Sequence, residues 1–190
     1  ISVHNPIPQH GHQVRDVAFA GMYFAHKFPE RREQMDFLLG GALDASARMD
    51  TGLEIFSRFL GDDERYQFPG ELAGRVVGSL SYDRMLTAYK AFKVFLNVNS
   101  VVTSPSMCAR RIFEITASGT PVVSAPSPAI GEFFTADEVP QVTSREDSAH
   151  VVRALVRSPL LRDRTVHLGQ RRIWHEHTYT HRARQVLDAA

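Results

Sequence analysis

The part of this 190-residue chain that best defines its fold is residues 93–125, KVFLNVNSVVTSPSMCARRIFEITASGTPVVSA. It begins and ends with short apolar runs that have the length of buried β-strands. Between these runs, Ser104 and Pro105 are typical of a helix start, and Pro121 prevents a helix from continuing past Gly119. We therefore predict a strand, a helix from Ser104 to Gly119, and a second strand.

Short apolar strands and helices alternate along the rest of the chain. Further strands are predicted at 14–20, 53–59, 76–77 and 139–142, and further helices at 29–47, 82–92, 130–134 and 148–190, the last broken near Pro159 and Thr178. This alternation indicates a parallel sheet covered by helices on both faces. The predicted fold class is α/β, with a Rossmann-like, doubly wound sheet over residues 14–190 after an extended segment at 1–13. Ligands of such sheets bind at the carboxyl ends of the strands.

The composition argues against several classes of function. The 22 basic and 21 acidic side chains give a formal net charge of +1, so no basic field indicates a nucleic-acid partner. The single cysteine, Cys108, excludes an internal disulfide framework and fits a reducing compartment, which we expect to be the cytoplasm. We expect Cys108 on the buried face of its helix, as a small hydrophobe. No apolar run approaches the roughly 18 residues of a membrane-spanning helix, so no membrane span is expected.

The segment after the first predicted strand, residues 19–27, has features of a phosphate-binding loop. Gly21 allows the backbone to approach a ligand closely, and the start of the following helix offers free N–H groups and a positive dipole end. Lys27, Arg31 and Arg32 add positive charge nearby. The segment lacks the Gly-x-Gly-x-x-Gly fingerprint, so the alternative is a strand-ending turn before a solvated basic helix.

The helix predicted to start at Ser104 carries a second candidate site. Arg111 and Glu114 lie one turn apart on a polar face of this helix. Because a strand precedes the helix, its first free N–H groups, with Ser104 and Ser106, lie at the carboxyl edge of the sheet and can hold a diphosphate. The Glu114 carboxylate can accept hydrogen bonds from the two vicinal hydroxyls of a ribose. The alternative is a weak surface ion pair between Arg111 and Glu114.

The motifs in residues 97–125 resemble the donor-binding half of GT-B glycosyltransferases, and most of all the CgeB-like branch. The ending His177-Thr178-Tyr179-Thr180-His181-Arg182 and the opening Val17-Ala18-Phe19-Ala20-Gly21 are similar to that branch too. The likeness extends from about residue 14 to 188. It implies a Rossmann-like C-terminal domain of a hexosyltransferase-like enzyme, which binds a UDP- or GDP-linked sugar.

The resemblance also implies roles for individual residues. The glutamate of the Arg-x-x-Glu-x-x-Ala-x-Gly helix, which holds the ribose hydroxyls in the family, is Glu114 here. The residues expected near the diphosphate are Gly21, Lys27, Ser104, Ser106, Met107, Arg110 and Arg111. The base is expected near Gly78, Ser79 and Leu80. Relatives commonly work without a metal, and the sequence has no Asp-x-Asp pair, so we expect no metal and no cofactor beyond the nucleotide-sugar substrate.

The chain departs from the family pattern in two ways. Many retaining relatives carry a second glutamate eight residues before the ribose-binding one, where this chain has Ser106. The stereochemistry of transfer, the sugar, the acceptor and the catalytic base therefore stay open. The acceptor site of two-domain relatives belongs to an N-terminal domain, which we expect as a partner outside these residues. The alternative is a non-catalytic module that binds a nucleotide sugar or another protein.

Histidines and arginines near the C-terminus permit other interpretations. His175, His177 and His181 suggest a metal site, but their spacing is not His-Glu-x-x-His, and we favour packing and capping roles. Eight arginines and only two acids lie between Arg153 and Arg184. Such a run can bind RNA or an anionic membrane, but it is more often a solvated face, and it can also pack against an N-terminal domain.

Overall fold

A computed structural model of the chain describes residues 12–23, 26–58 and 63–189. The segment predicted at 1–13 lies outside these residues except for its last two. Within the described residues the strands are β1 (Arg15–Ala20), β2 (Leu53–Phe56), β3 (Val76–Gly78), β4 (Phe92–Asn97) and β5 (Val122–Ser124). The α-helices are α1 (Pro29–Ser46), α2 (Tyr82–Ala91), α3 (Arg110–Ala117), α4 (Pro128–Phe133), α5 (Arg145–Arg157), α6 (Pro159–Glu176) and α7 (Tyr179–Asp188). Two short 3-10 helices, Glu64–Tyr66 and Gly70–Arg75, precede β3.

These strands form one parallel sheet with the order β3-β2-β1-β4-β5. β1 lies at the centre, where Phe19 is paired with Ile55 of β2 on one side and with Leu96 of β4 on the other. Strands β2 and β3 follow β1 on one side of the sheet, and β4 and β5 follow on its other side. The strand order therefore reverses between β1 and β4. This confirms the predicted doubly wound α/β fold and places a crevice at the carboxyl ends of these strands.

Each face of the sheet has its own apolar core. Val17 and Phe19 of β1 pack on the side covered by α1 and α5, in a cluster that includes Leu38. Ala18, between them in the sequence, packs on the opposite side with Phe95 and with residues of α2, α3 and α6. Successive residues of a strand point to opposite faces, and both faces are covered, so the strands of this sheet are mostly apolar, with charged residues confined to Arg15 and Asp16 of β1, Glu54 of β2 and Lys93 of β4.

Helices α1 and α5 approach each other closely at Gly41. A Cβ on Gly41 would lie 2.3 Å from the carbonyl oxygen of Arg145 and 2.6 Å from Cβ of Ser148. The buried hydroxyl of Ser148 donates a hydrogen bond to the carbonyl oxygen of Leu38 at 2.8 Å. These contacts fix α1 against the sheet, and its first turn, which begins at Pro29 as predicted, is thereby held at the carboxyl edge.

The helix predicted to start at Ser104 begins only at Arg110, so this prediction is wrong. The Ser104 hydroxyl oxygen accepts hydrogen bonds from the N–H groups of Ser106 and Met107 at 3.3 and 3.0 Å, and these bonds hold a turn before the helix. Cys108 consequently lies in the turn and not on the helix. It is nevertheless half-buried against the core, and burial raises the pKa of its thiol to about 11, as expected for an unreactive thiol.

The strand predicted at 139–142 is reduced to a single parallel bridge between Ser124 of β5 and Gln141. Pro140 has no N–H to donate, and only its carbonyl takes part, accepting from the N–H of Ser124 at 3.0 Å. The two breaks predicted in the C-terminal helical region are confirmed as the ends of α5 and α6. In the described part of the chain, no helix has the length and apolar character that a membrane crossing requires.

Candidate functional site

An open cavity of about 460 Å³ lies at the carboxyl ends of β1 and β2, the edge at which ligands of such sheets bind. It is bordered by the loops after these strands, by α2 and by the start of α3. Its lining residues are Ala20, Gly21, Met22, Arg31, Phe56, Ser57, Arg58, Leu80, Tyr82, Met85, Tyr89, Ala109, Arg110, Arg111 and Glu114. Four arginines and one glutamate among them give the cavity a positive charge, which suits an anionic ligand.

Two of these arginines are held close together at the end of β1. Arg111 of α3 donates a hydrogen bond to the carbonyl oxygen of Ala20, and Arg31 of α1 donates one to Oγ of Ser100 at 2.9 Å. Arg31 is only 8% exposed, and its burial, together with the charge of Arg111, lowers its pKa to about 10. Burial also lowers the pKa of Arg111. An anion that binds beside both guanidiniums relieves this unfavourable burial of positive charge.

Gly21 brings the backbone of the loop after β1 close to the same guanidiniums. A Cβ on Gly21 would lie 2.8 Å from the ring of Phe19 and 3.4 Å from the guanidinium of Arg31. The N–H of Gly21 donates to the carbonyl oxygen of Phe56 at 2.9 Å, which ties this loop to the end of β2. A larger residue here would displace a core ring and crowd Arg31, so glycine is the residue that this arrangement accommodates.

Glu114 of α3 faces the cavity from the other side and is held through one carboxylate oxygen. The hydroxyl of Tyr82, the first residue of α2, donates to Oε1 of Glu114 at 2.7 Å. Nε of Arg110 lies 2.9 Å from the same oxygen, and the Arg110 guanidinium stacks over the Tyr82 ring at 5.1 Å from its centroid. The arginine that pairs with Glu114 is therefore Arg110, whereas Arg111 turns toward β1.

The first turn of α3 borders the cavity without a side-chain cap. Its N-cap residue, Ala109, makes no capping hydrogen bond through its side chain, and no acidic residue lies in the first turn. Free N–H groups at a helix start, with the positive end of the helix dipole, attract anions. The helix start on which the diphosphate prediction was based thus lies at residues 109–111 and not at Ser104.

The structure brings five of the predicted site residues together around the cavity: Gly21, Leu80, Arg110, Arg111 and Glu114. The predicted residues that are not among its described lining are Lys27, Gly78, Ser79, Ser104, Ser106 and Met107. Arg31 was considered only for its charge, and Arg58, Tyr82 and Tyr89 were missed. The sequence held one signal for Tyr82, which follows closely after the predicted base loop at 78–80. It held none for Arg58, which lies beyond β2.

Two of the histidines near the C-terminus, His177 and His181, have the packing and capping roles expected of them. The ring of His177 lies 5.5 Å from the rings of Phe113 and Phe133, measured between centroids. His181 forms a capping box with Thr178 at the start of α7. Within the residues described, no group of three or more histidine, cysteine or acidic side chains is placed to hold a metal ion.

Several arginines of the C-terminal run have partners within the fold. Arg172 of α6 pairs with Glu138 at 3.2 Å and with Glu176 at 2.7 Å. Arg162 donates hydrogen bonds to the carbonyl oxygens of Leu155 and Val156, both at 2.8 Å. These contacts fasten α6 to α5 and to the segment after α4. They favour a structural role for this part of the run over the alternative of an RNA- or membrane-binding face.

Comparison with known proteins identifies a family for most of the chain. A family model described as glycosyl transferase-like matches residues 24–188 of the chain. A search of curated protein sequences gives no significant match. The family match spans β2 to β5 and every described cavity residue after Met22.

Solved structures with this fold include the C-terminal domain of LpcC, a group 1 family glycosyl transferase from Francisella tularensis. It superposes with a TM-score of 0.64 and 13% identity, over 93% of this chain and 97% of that domain. TarM of S. aureus, solved with UDP among its ligands, has a TM-score of 0.65 and 14% identity, over 99% of this chain and 37% of its own. HepE of Anabaena, solved with UDP and glucose, has a TM-score of 0.66 and 14% identity, over 94% of this chain and 49% of its own.

The chain therefore spans nearly all of the LpcC domain but less than half of TarM or HepE. This relation confirms the prediction that the fold is the C-terminal half of a GT-B glycosyltransferase. The narrower assignment to the CgeB-like branch stays a prediction.

Proposed function

Because the chain belongs to the glycosyl transferase-like family, we propose that it is a donor-binding domain, with a nucleoside diphosphate sugar as the ligand of the cavity at the end of β1. The observation that carries this proposal is the arrangement of charge in the cavity. Arg31 and Arg111 lie beside the uncapped start of α3, and the Glu114 carboxylate lies one turn further along that helix. A ligand with anionic groups next to a vicinal diol fits this arrangement, and a nucleoside diphosphate has both.

In this proposal the diphosphate lies against Arg31, Arg111 and the free N–H groups of the first turn of α3. Gly21 has no side chain to separate the backbone of the loop after β1 from the Arg31 guanidinium. Guanidiniums bind phosphate through paired, charge-assisted hydrogen bonds, and a helix start binds it through its amides. Four residues that the sequence predicted near the diphosphate do not line the cavity, and we do not propose them as diphosphate contacts. They are Lys27, Ser104, Ser106 and Met107.

The nucleoside lies on the side of the cavity formed by α2 and the loop before it. The Glu114 carboxylate accepts hydrogen bonds from the ribose hydroxyls. The base lies near Leu80, the one member of the predicted base loop that lines the cavity. We propose UDP- or GDP-linked sugars as the donors to test first, as the family resemblance implies.

Sugar transfer breaks the bond between the anomeric carbon and an oxygen of the β-phosphate, so negative charge develops on the leaving diphosphate. Arg31, Arg111 and the α3 amides are oriented toward that charge before the reaction begins, which is the arrangement that stabilises a transition state most. We propose that these groups perform the work that a metal ion performs in other transferases. We assign no catalytic base to this chain and propose that it comes from another domain.

We propose that a second, N-terminal domain of the whole protein binds the acceptor. This chain corresponds to 37% of TarM and 49% of HepE. Helix α7 buries none of its described residues, and Tyr179, Val186 and Leu187 are 84%, 69% and 75% exposed. Exposed apolar side chains on one helix are a surface that a neighbouring domain can cover.

A second candidate function is a non-catalytic module that binds a nucleotide sugar without turning it over. The observation that favours it is Ser106, which occupies the position of the second glutamate of many retaining relatives. Without that carboxylate the sugar ring loses one expected contact, whereas the diphosphate and ribose contacts are unaffected. Hydrolysis of the donor sugar by the whole protein, measured as release of free sugar, separates the two candidates.

The donor proposal is tested by titrating the chain with UDP, GDP and their sugar conjugates, using calorimetry and thermal unfolding. A ligand at 100 times its dissociation constant stabilises a folded domain by about 2.7 kcal/mol, which a melting curve resolves. We expect one nucleotide to stabilise the chain. We expect Glu114→Ala to weaken that binding by about tenfold or more, because hydrogen bonds to a charged group contribute about 1.5–3 kcal/mol.

The matched control is Glu138→Ala, which removes another buried carboxylate, one that pairs with Arg172 away from the cavity. This variant should lose stability but keep the affinity of the wild type for the nucleotide. If no nucleotide stabilises the wild type, or if both variants weaken binding equally, the cavity is not the donor site.

A further inference from the structure

The hydroxyl of Tyr82 is the polar group that reaches Glu114 from a different helix. We propose that Tyr82 is a positioning residue, which aims the Glu114 carboxylate at the ribose hydroxyls and thereby lets the site select ribonucleotides over 2′-deoxyribonucleotides. This inference rests on the proposed donor-binding function. Neither the family match nor the structural comparisons bear on Tyr82 itself.

The geometry places Tyr82 as a brace between two helices. Tyr82 is the first residue of α2, and its hydroxyl donates to Oε1 of Glu114, in the middle of α3, at 2.7 Å. Arg110 contacts the same Oε1 at 2.9 Å and stacks on the Tyr82 ring. Tyr82 and Arg110 therefore both hold Oε1, and together they orient the carboxylate as a whole.

This restraint matters because a carboxylate on a two-methylene side chain otherwise has several rotamers. Glu114 is 9% exposed, whereas Tyr82 is 49% exposed at the cavity rim, so the brace reaches from solvent to a nearly buried acceptor. A carboxylate that is already oriented loses less conformational freedom when a ribose binds, and its hydrogen bonds then contribute more to affinity. Losing the brace should therefore weaken ribose recognition without disturbing the diphosphate contacts.

The Tyr82 hydroxyl is also in the right protonation state for this role. The hydrogen bond to Glu114 raises its pKa, burial and the charge of Glu114 raise it further, and nearby Arg110 lowers it. Tyr82 therefore stays protonated near neutral pH and donates to the carboxylate.

The test compares UDP and GDP, each with its 2′-deoxy analogue, in calorimetric titrations of the wild type and Tyr82→Phe. The wild type should prefer the ribonucleotide, and Tyr82→Phe should reduce that preference by about threefold to tenfold, as expected for one hydrogen bond to a charged group. Affinity for the 2′-deoxy analogue should stay nearly unchanged. The substitution removes one oxygen from a half-exposed side chain, so folding is preserved.

A double-mutant cycle with Glu114→Ala shows whether Tyr82 acts through Glu114. In the Glu114→Ala background, Tyr82→Phe should have no further effect on the ratio of ribonucleotide to deoxyribonucleotide affinity. Additive effects would mean that Tyr82 contacts the nucleotide on its own, and they would overturn the positioning role.

A nucleotide-free measurement separates this inference from the proposed function. The difference between the absorbance titrations of the wild type and Tyr82→Phe isolates Tyr82, and Glu114→Gln should shift that titration to lower pH. An unshifted titration overturns the contact itself. If the wild type prefers ribonucleotides and Tyr82→Phe has the same ratio of ribonucleotide to deoxyribonucleotide affinity, this inference alone is overturned. If the wild type binds no nucleotide, both this inference and the donor proposal are overturned.

Discussion

Buried charges occur at both ends of the central sheet, but the two ends satisfy them differently. At the amino ends of the strands, Asp16 is 1% exposed and accepts hydrogen bonds from Nζ of Lys93 at 2.7 Å and from the N–H groups of Thr51 and Gly52 at 2.7 and 3.1 Å. The neighbouring side chain of Arg15 pairs across the strands with the carboxylate of Glu54. Two buried or half-buried acid–base pairs thus join the strands at this end.

At the carboxyl ends of the strands, the buried positive charges are held by neutral acceptors. Arg111 donates to a backbone carbonyl oxygen and Arg31 donates to a serine hydroxyl. Glu114, the one carboxylate in the described lining of the cavity, pairs with the exposed side chain of Arg110 and with Tyr82. Burial lowers the pKa of both Arg31 and Arg111, and the nearby charge of Arg111 lowers that of Arg31 further.

The difference shows how to separate structural charges from binding charges in this fold. A charge that is matched within the chain contributes to register and stability, as Asp16 does by joining β1, β4 and the turn before β2. A charge that faces an open cavity with neutral acceptors has capacity left for a ligand. Substitutions at the amino ends of the strands should therefore change the stability of the fold, and substitutions at the carboxyl ends should change ligand affinity.

The largest effect is expected for Asp16→Ala. It leaves the ammonium group of Lys93 and two backbone N–H groups without their acceptor, so the free energy of unfolding should fall by about 3–5 kcal/mol. Urea denaturation of wild type and variant measures this loss. Nucleotide affinity, measured under conditions where the variant is folded, should not change.

The double variant Asp16→Ala with Lys93→Met serves as the control for Asp16. It removes the uncompensated ammonium and should recover part of the lost stability. If Asp16→Ala lowers the free energy of unfolding by less than about 1 kcal/mol, the Asp16–Lys93 pair stabilises the fold no more than a surface ion pair does. The two ends of the sheet would then not differ in how their charges contribute to stability.

The second-largest effect is expected for Arg111→Met, which should weaken nucleotide binding without lowering stability. Nucleoside diphosphate affinity should fall by roughly thirtyfold, since about 2 kcal/mol is typical of a charge-assisted hydrogen bond to phosphate. The free energy of unfolding should stay the same or rise, because an apolar side chain replaces a buried charge. Calorimetry measures the affinity, and denaturation measures the stability.

Arg162→Met is the matched control for Arg111, because Arg162 is also partly buried with a lowered pKa and donates to backbone carbonyl oxygens. It lies away from the cavity and should leave nucleotide affinity unchanged. Equal losses of affinity in Arg111→Met and Arg162→Met would show that removing a buried arginine weakens nucleotide binding by disturbing the fold and not by removing a contact with the nucleotide.

The smallest effect is expected in the dependence of stability on pH. Burial opposes ionisation of Asp16, but hydrogen bonds from Lys93, Thr51 and Gly52 outweigh it and hold the pKa of Asp16 below its ordinary value. Since the folded-state pKa is lowered, the stabilisation is fully present above the unfolded-state pKa of about 3.9 and is lost as the pH falls through the folded-state value.

Asp16→Asn should therefore show a flatter profile of unfolding free energy below about pH 4 than the wild type does. Urea denaturation at a series of pH values measures both profiles. Parallel profiles would show that other carboxylates dominate acid unfolding. The carboxyl-end substitution Arg111→Met should leave the shape of the profile unchanged.

The strand and helix pattern was largely predictable because burial on both faces of a parallel sheet produces short, mostly apolar strands. The end of α3 was predicted from Gly119, and the structure confirms it with a φ of 84° at this residue. The start of α3 was not predicted correctly, because a serine before a proline is typical both of a helix cap and of the cap of an isolated turn. In this chain Ser104 caps a turn, and the helix begins six residues later.

The candidate site was predictable where a local pattern or the family motif marked its residues, as at Gly21, Leu80 and the start of α3. Arg111 and Glu114 share α3, so their spacing and the family motif indicated both of them. Tyr82 on α2 and Arg31 on α1 come to the cavity from other helices, and no local pattern links them to α3.

The sequence by itself determined the alternation of strands and helices, the parallel sheet that follows from it and the motif around Glu114, because all of these depend on local spacing. Only the tertiary structure decided that Arg111 turns to β1 and that Tyr82 braces the Glu114 carboxylate. Those choices depend on how α1, α2 and α3 pack on the sheet. Packing joins side chains that are distant in the chain, and residue periodicity carries no information about such pairs.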